Sequence, residues 1–166
     1  MTIDRARLMS ILDALGQKLS KPTTICLIGS SPGILRGQPE RQSAGIDIWR
    51  PASAYDETDL RRACRESGIL FDRKGELDPD AIYLQVVAPG IVKLPEDFKF
   101  DILGQYGALE VAMPKPALLS AAKLARGQAR DGGRCLADEG AGAWFGRYSN
   151  CDRFVAGRNA ARDRSG

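Results

Sequence analysis

Residues 23–49 read T-T-I-C-L-I-G-S-S-P-G-I-L-R-G-Q-P-E-R-Q-S-A-G-I-D-I-W, and this stretch decides the fold. Thr23–Gly29 is β-branched, apolar, short and stopped by glycine, the pattern of a buried strand with Cys26 as a small core residue. In S-S-P-G-I-L-R-G, Ser30 or Ser31 is placed to cap a short helix with Pro32 in its first turn. A polar connector, Gln38–Ala44, leads to Gly45–Trp49. There the residues alternate, so Ile46 and Ile48 share one face of a strand and Gly45, Asp47 and Trp49 share the other.

Outward from this stretch, Leu8, Ile11, Leu12, Leu15 and Leu19 form a helical stripe before the first strand. After Pro51, Ser53 or Asp56 is positioned to cap a second helix whose face is Leu60, Ala63, Cys64 and Ser67, with Gly68 at its stop. Ile82–Val87 is a third strand candidate, Ile91–Leu94 a fourth and Leu109–Met113 a fifth. Asp97–Tyr106 is read as a short helix. Lys115–Arg126 opens with Pro116 in a first-turn position and sets Leu118, Ala121, Ala122 and Ala125 on one face. The pattern predicts an α+β chain on a small mixed sheet flanked by helices.

Composition narrows the chemistry. The chain has 166 residues, 43% hydrophobic and 27% charged, a length suited to one domain with its own core. A net charge of +3 without a basic stripe argues against a nucleic-acid backbone as the main partner, so DNA binding is not expected. No apolar run is long enough to span a membrane, and the mixed-charge Met1–Lys18 does not resemble a signal peptide. Histidine is absent, which removes His-based nucleophile activation, His general bases and His-ligated zinc. Cys26, Cys64, Cys135 and Cys151 include no C-x-x-C pair and read as free thiols of a cytoplasmic protein.

From Gly132 to Gly166 there is one Leu, one Val, no Ile and no Met, among abundant Gly, Arg and Ala. Such a segment has little aliphatic surface to offset its ordering entropy, and 132–166 is read as a poorly ordered tail. A second reading makes it a frameshift product. Synonymous codons from Asp131 onward permit an uninterrupted frame one base later that encodes two amphipathic helices.

Gly29-Ser30-Ser31-Pro32-Gly33 fits the G-x-S-x-G nucleophile elbow between a strand and a helix, but Ser31 has no histidine base, and the hydrolase reading is set aside. A Gly-Ser turn at a helix start suits phosphate better. Together with Arg41, Ser43 and the spaced strand G-I-D-I-W, and with the later A-M-P-K-P-A-L-L-S-A-A-K-L-A-R-G-Q-A-R-D, the sequence resembles the nucleotidyltransferase superfamily. Within it the likeness is to small bacterial members associated with toxin–antitoxin and abortive-infection loci. It covers residues 23–131, and residues 1–131 are read as the nucleotidyltransferase-like domain.

The resemblance implies Mg2+-dependent transfer of a nucleotidyl group from a nucleoside triphosphate to a hydroxyl of protein or RNA. It implies phosphate contacts from Gly29, Ser30 and Ser31, assistance from Arg41, Ser43 and Lys123, and Asp47 as the catalytic metal ligand. Carboxylates at i and i+2 on a strand share a face and reach one cation, and a third on a neighbouring strand completes the site. Here Gly45 stands at the first position and Gln85 at the third. The loss of one ligand weakens metal affinity by about 10–100-fold, so transfer activity is expected to be weak or absent. The alternative is a non-catalytic binding or antitoxin-like protein that engages a protein partner. Bland readings stand beside these: Asp47 as the solvent side of a two-faced strand, the arginines as a solvated face, Lys123 as a snorkelling helix lysine, Tyr83 and Trp49 as packing residues.

Overall fold

The computed structural model describes residues 2–38, 41–72 and 80–126, without the side chains of Lys123, Leu124 and Arg126. The elements are α1 (Arg5–Lys18), β1 (Thr23–Ile28), α2 (Ser31–Leu35), β2 (Gly45–Trp49), α3 (Glu57–Glu66), β3 (Leu70–Phe71), β4 (Tyr83–Val87), β5 (Phe100–Tyr106), β6 (Leu109–Pro114) and α4 (Pro116–Arg126). The expected α+β architecture with a mixed sheet is present. The tail reading for 132–166 falls outside the described residues, as does the last part of the 1–131 domain.

Among the described residues six strands lie in the order β3-β4-β2-β1-β6-β5. β1 pairs antiparallel with β2, Ile28 opposite Asp47, and parallel with β6. β4 runs parallel to β2, which sets Gly45 beside Tyr83 and Asp47 beside Gln85. Ile46 and Ile48 pack into one core with Leu8, Leu12 and Leu15 of α1 and Leu60 of α3. Trp49 lies in a second core on the other face, with Leu119 and Ala122 of α4. Strict alternation along β2 therefore separates two apolar layers, and Asp47 stays on the second side, half-buried.

Local signals explain most termini. Asp56, not Ser53, caps α3, accepting from the Asp59 N–H at 2.9 Å. Ser53 does a different job: its buried hydroxyl accepts from the Cys26 N–H at 2.9 Å and donates to the Trp49 carbonyl at 2.7 Å. Gly68 ends α3 with φ +70°, as a C-terminal glycine should. α4 begins at Pro116, but its buried face runs through Leu119 and Ala122, whereas Ala121 and Ala125 are exposed.

Two expectations are overturned. Asp97–Tyr106 holds no helix, because Phe100–Tyr106 is the edge strand β5, antiparallel to β6. A register shift between Ile102 and Gly104 breaks its period of two, which hid the strand pattern. Ile91–Leu94 is a loop with a bridge from Val92 to Pro89, and it is held by the buried Leu94.

Candidate functional site

The chain leaves β1 through Gly29, whose φ of +69° lies in the left-handed region. A Cβ at this residue would sit 2.5 Å from Asp47 Oδ2. Glycine here thus serves the turn and also lets the carboxylate of the neighbouring strand close onto the backbone. The turn after β1 and the acid on β2 converge, as the sequence predicts, at one cleft of about 980 Å3. Gly29, Ser30, Arg41, Ser43, Asp47 and Gln85 all line it. Ile91 and Val92 of the loop after β4, and Leu119 and Ala122 of α4, add apolar surface.

The remaining expected residues divide. Ser31 is buried at the start of α2 and is not part of the cleft lining. α2 has only five residues, its N-terminal Ser30 makes no side-chain cap, and Pro32 lacks an N–H. A helix of this length carries little dipole, so the turn is a weaker phosphate cradle than its sequence suggested. The Arg41 guanidinium donates to Gln38 Oε1, and both side chains cover Gly33. Ser43 Oγ donates to the Gly45 carbonyl at 2.7 Å, and the Ser43 backbone pairs with Ile3, so this residue shapes the entry into β2. Lys123 lies on α4 with its side chain outside the described residues.

The metal ligand set is decided at Gly45. Tyr83 stands beside it on β4, and its ring lies so close that a Cβ on the glycine would come within 2.2–2.6 Å of three ring atoms. The place of the first carboxylate is occupied by an aromatic side chain. At the third position, the Gln85 amide donates to Asp72 Oδ1 at 2.8 Å. Among the described residues no group of three Cys, Asp or Glu side chains is arranged to hold a metal ion. One carboxylate, one amide oxygen and a phenol ring do not fit the Mg2+ site that the resemblance implies. Cys26 packs into the core beside the cleft, where burial pushes its thiol up to about 12, so it supplies no nucleophile at neutral pH.

Sequence reasoning identified Asp47 and the substitutions at 45 and 85 but took Tyr83 for an ordinary packing residue. Tyr83 and Gln85 have the same strand parity, which was the available signal; the register that lays the ring on Gly45 was not. Asp72 carried no signal in the sequence. Among the described residues no helix is long and apolar enough to cross a membrane. Compared with family models, with curated proteins and with solved structures, the chain matches none.

Proposed function

We propose that this chain is a nucleotidyltransferase-like protein that has lost the transfer reaction and keeps its cleft for binding. The observation that carries this reading is the Tyr83 ring seated on Gly45, because it removes a carboxylate and also fills the space one would need. Support comes from the strand–turn–strand unit in which Gly29 meets Asp47, the arrangement that the resemblance implies. A cytoplasmic setting belongs to the same proposal, since the unpaired thiols of Cys26 and Cys64 suit a reducing compartment.

The test is nucleotide incorporation. With α-labelled nucleoside triphosphates, Mg2+ or Mn2+, and the protein itself or total RNA as acceptor, no label above background is expected. Gly45→Asp alone should not create activity, because the ring blocks the new side chain. Metal-dependent incorporation that disappears in Asp47→Ala overturns the reading.

A further inference from the structure

The sheet ends at β5, whose outer edge has no strand beside it among the described residues. Ile102 pairs with Ala112 of β6, and Ala112 pairs with Cys26 of β1, so the Ile102 side chain lies on the face of the second core. Phe100, two residues earlier, shares that face. The cover of α4 reaches Cys26 but stops short of this rim, and Phe100 and Ile102 remain 43% and 52% exposed. Phe98 packs partly onto the same core.

The other face of this segment is charged. Asp101 forms an ion pair with Lys115, the residue after β6. Lys99 is exposed and makes no ion pair among the described residues. Continued by one residue, the β5–β6 register sets Lys99 beside Lys115, two like charges served by one carboxylate. Residues 98–102 read F-K-F-D-I, apolar at every second position with a lysine and an aspartate between. Such a string complements itself. Laid antiparallel on a second copy with Phe100 at the centre, it sets Phe100 against Phe100, Phe98 against Ile102, and each Lys99 against the other copy's Asp101. Centred one residue to either side, it sets Lys99 against Lys99 or Asp101 against Asp101. The register shift of β5 begins only after Ile102, so this stretch keeps a period of two.

We propose that the β5 edge pairs with the β5 edge of a second copy of this chain, antiparallel about Phe100, to form a two-fold dimer with one continuous sheet. The free edge supplies main-chain donors and acceptors, the rim of Phe98, Phe100 and Ile102 supplies apolar contact, and the two Lys99–Asp101 pairs fix the register. A lysine on an edge strand ordinarily keeps other strands away. Here the matching position on the second copy is an acid, so the same charge admits this chain and disfavours others.

Sedimentation equilibrium of the full chain tests it. The wild type should reach twice the chain mass with a dimer Kd below about 100 μM. Lys99→Glu and Asp101→Lys should each weaken dimerisation by about tenfold or more, because each variant alone sets like charges together at both places. An equimolar mixture of the two sets opposite charges at both places and should return to within about threefold of the wild type. Mild oxidation of Phe100→Cys should link the two copies through residue 100, since paired Cα atoms lie about 4.5–5.5 Å apart, within disulfide reach. In Ile102→Cys the two copies of residue 102 lie about 13 Å apart along the strands and should not link. Peptide mass spectrometry identifies the joined residues. Circular dichroism checks each fold; if Asp101→Lys does not fold, the two cysteine variants carry the test. A wild-type monomer at about 100 μM, which leaves the edge to residues 127–166 or to another protein, overturns the proposal. So do a folded Lys99→Glu that dimerises as tightly as the wild type, a mixture no tighter than its components, and linkage at 102 as ready as at 100.

Discussion

Two glycines at the cleft each make room for a side chain of the neighbouring strand. At Gly29 the missing side chain admits the Asp47 carboxylate; at Gly45 it admits the Tyr83 ring. The second contact is testable by stability alone. Gly45→Ala forces the ring or the strand to move and should cost about 1–3 kcal/mol, the usual range for overpacking a filled site. In Gly45→Ala/Tyr83→Ala the clash has no partner, so urea unfolding should show a combined loss smaller than the sum of the two single losses. Additive losses would mean that the two residues do not press on each other. The alternation Ile46-Asp47-Ile48 was legible because a strand's period of two needs no knowledge of its neighbours. The Tyr83–Gly45 contact was not, because it depends on which strand lies beside β2 and in what register.

At the scale of elements, α1 and α3 are joined by a polar junction under their apolar stripes. Asp59 is buried and accepts from the Ser20 N–H at 2.9 Å, Ser20 Oγ at 2.7 Å, the Lys21 N–H at 3.1 Å and the Arg62 guanidinium at 2.6 Å. Arg62 also donates to the Lys18 carbonyl at 2.7 Å, which ties the end of α1 to α3. The Arg62 guanidinium first, and the Ser20 hydroxyl after it, hold the Asp59 carboxyl well below the usual carboxylate range. A lowered folded-state pKa means that the stabilisation is fully present above the unfolded value of about 4 and is lost as pH falls through the folded value. Urea midpoints of the wild type should therefore drop from about pH 5 to about pH 2 more steeply than those of Asp59→Asn. At neutral pH Asp59→Ala should cost about 1–3 kcal/mol, because it removes the shared acceptor of four hydrogen bonds. A pH slope unchanged in Asp59→Asn would remove this account. The stripe on α1 was readable from spacing, whereas β5 was not. Phe100 and Ile102 are exposed there, Leu103 and Tyr106 pack inward, and the register shift between Ile102 and Gly104 leaves no clean alternation to detect.

At the scale of the molecule, the sheet divides two cores among the described residues, and each holds one of the described thiols: Cys64 with α1 and α3, Cys26 with α4. Burial pushes both thiols up to about 12, so neither reacts in the native state. They report separately on the two layers. If the sheet and its flanking helices unfold as one cooperative unit, pulse alkylation followed by peptide mass spectrometry should show Cys26 and Cys64 becoming reactive with the same dependence on guanidinium. Earlier labelling of Cys26 would show that the α4 layer opens by itself. Which helices flank which face was only partly readable, since the strand order β3-β4-β2-β1-β6-β5 joins segments far apart in the chain. The pairing of a glycine with a bulky ring on the adjacent strand also limits the routes by which such a protein can change. An acid introduced at position 45 meets an occupied space, and a ring removed from position 83 leaves a void with nothing yet gained. Either step taken first carries a penalty, so a change at one of these two positions is tied to a change at the other, a ratchet set in the packing of one strand against the next.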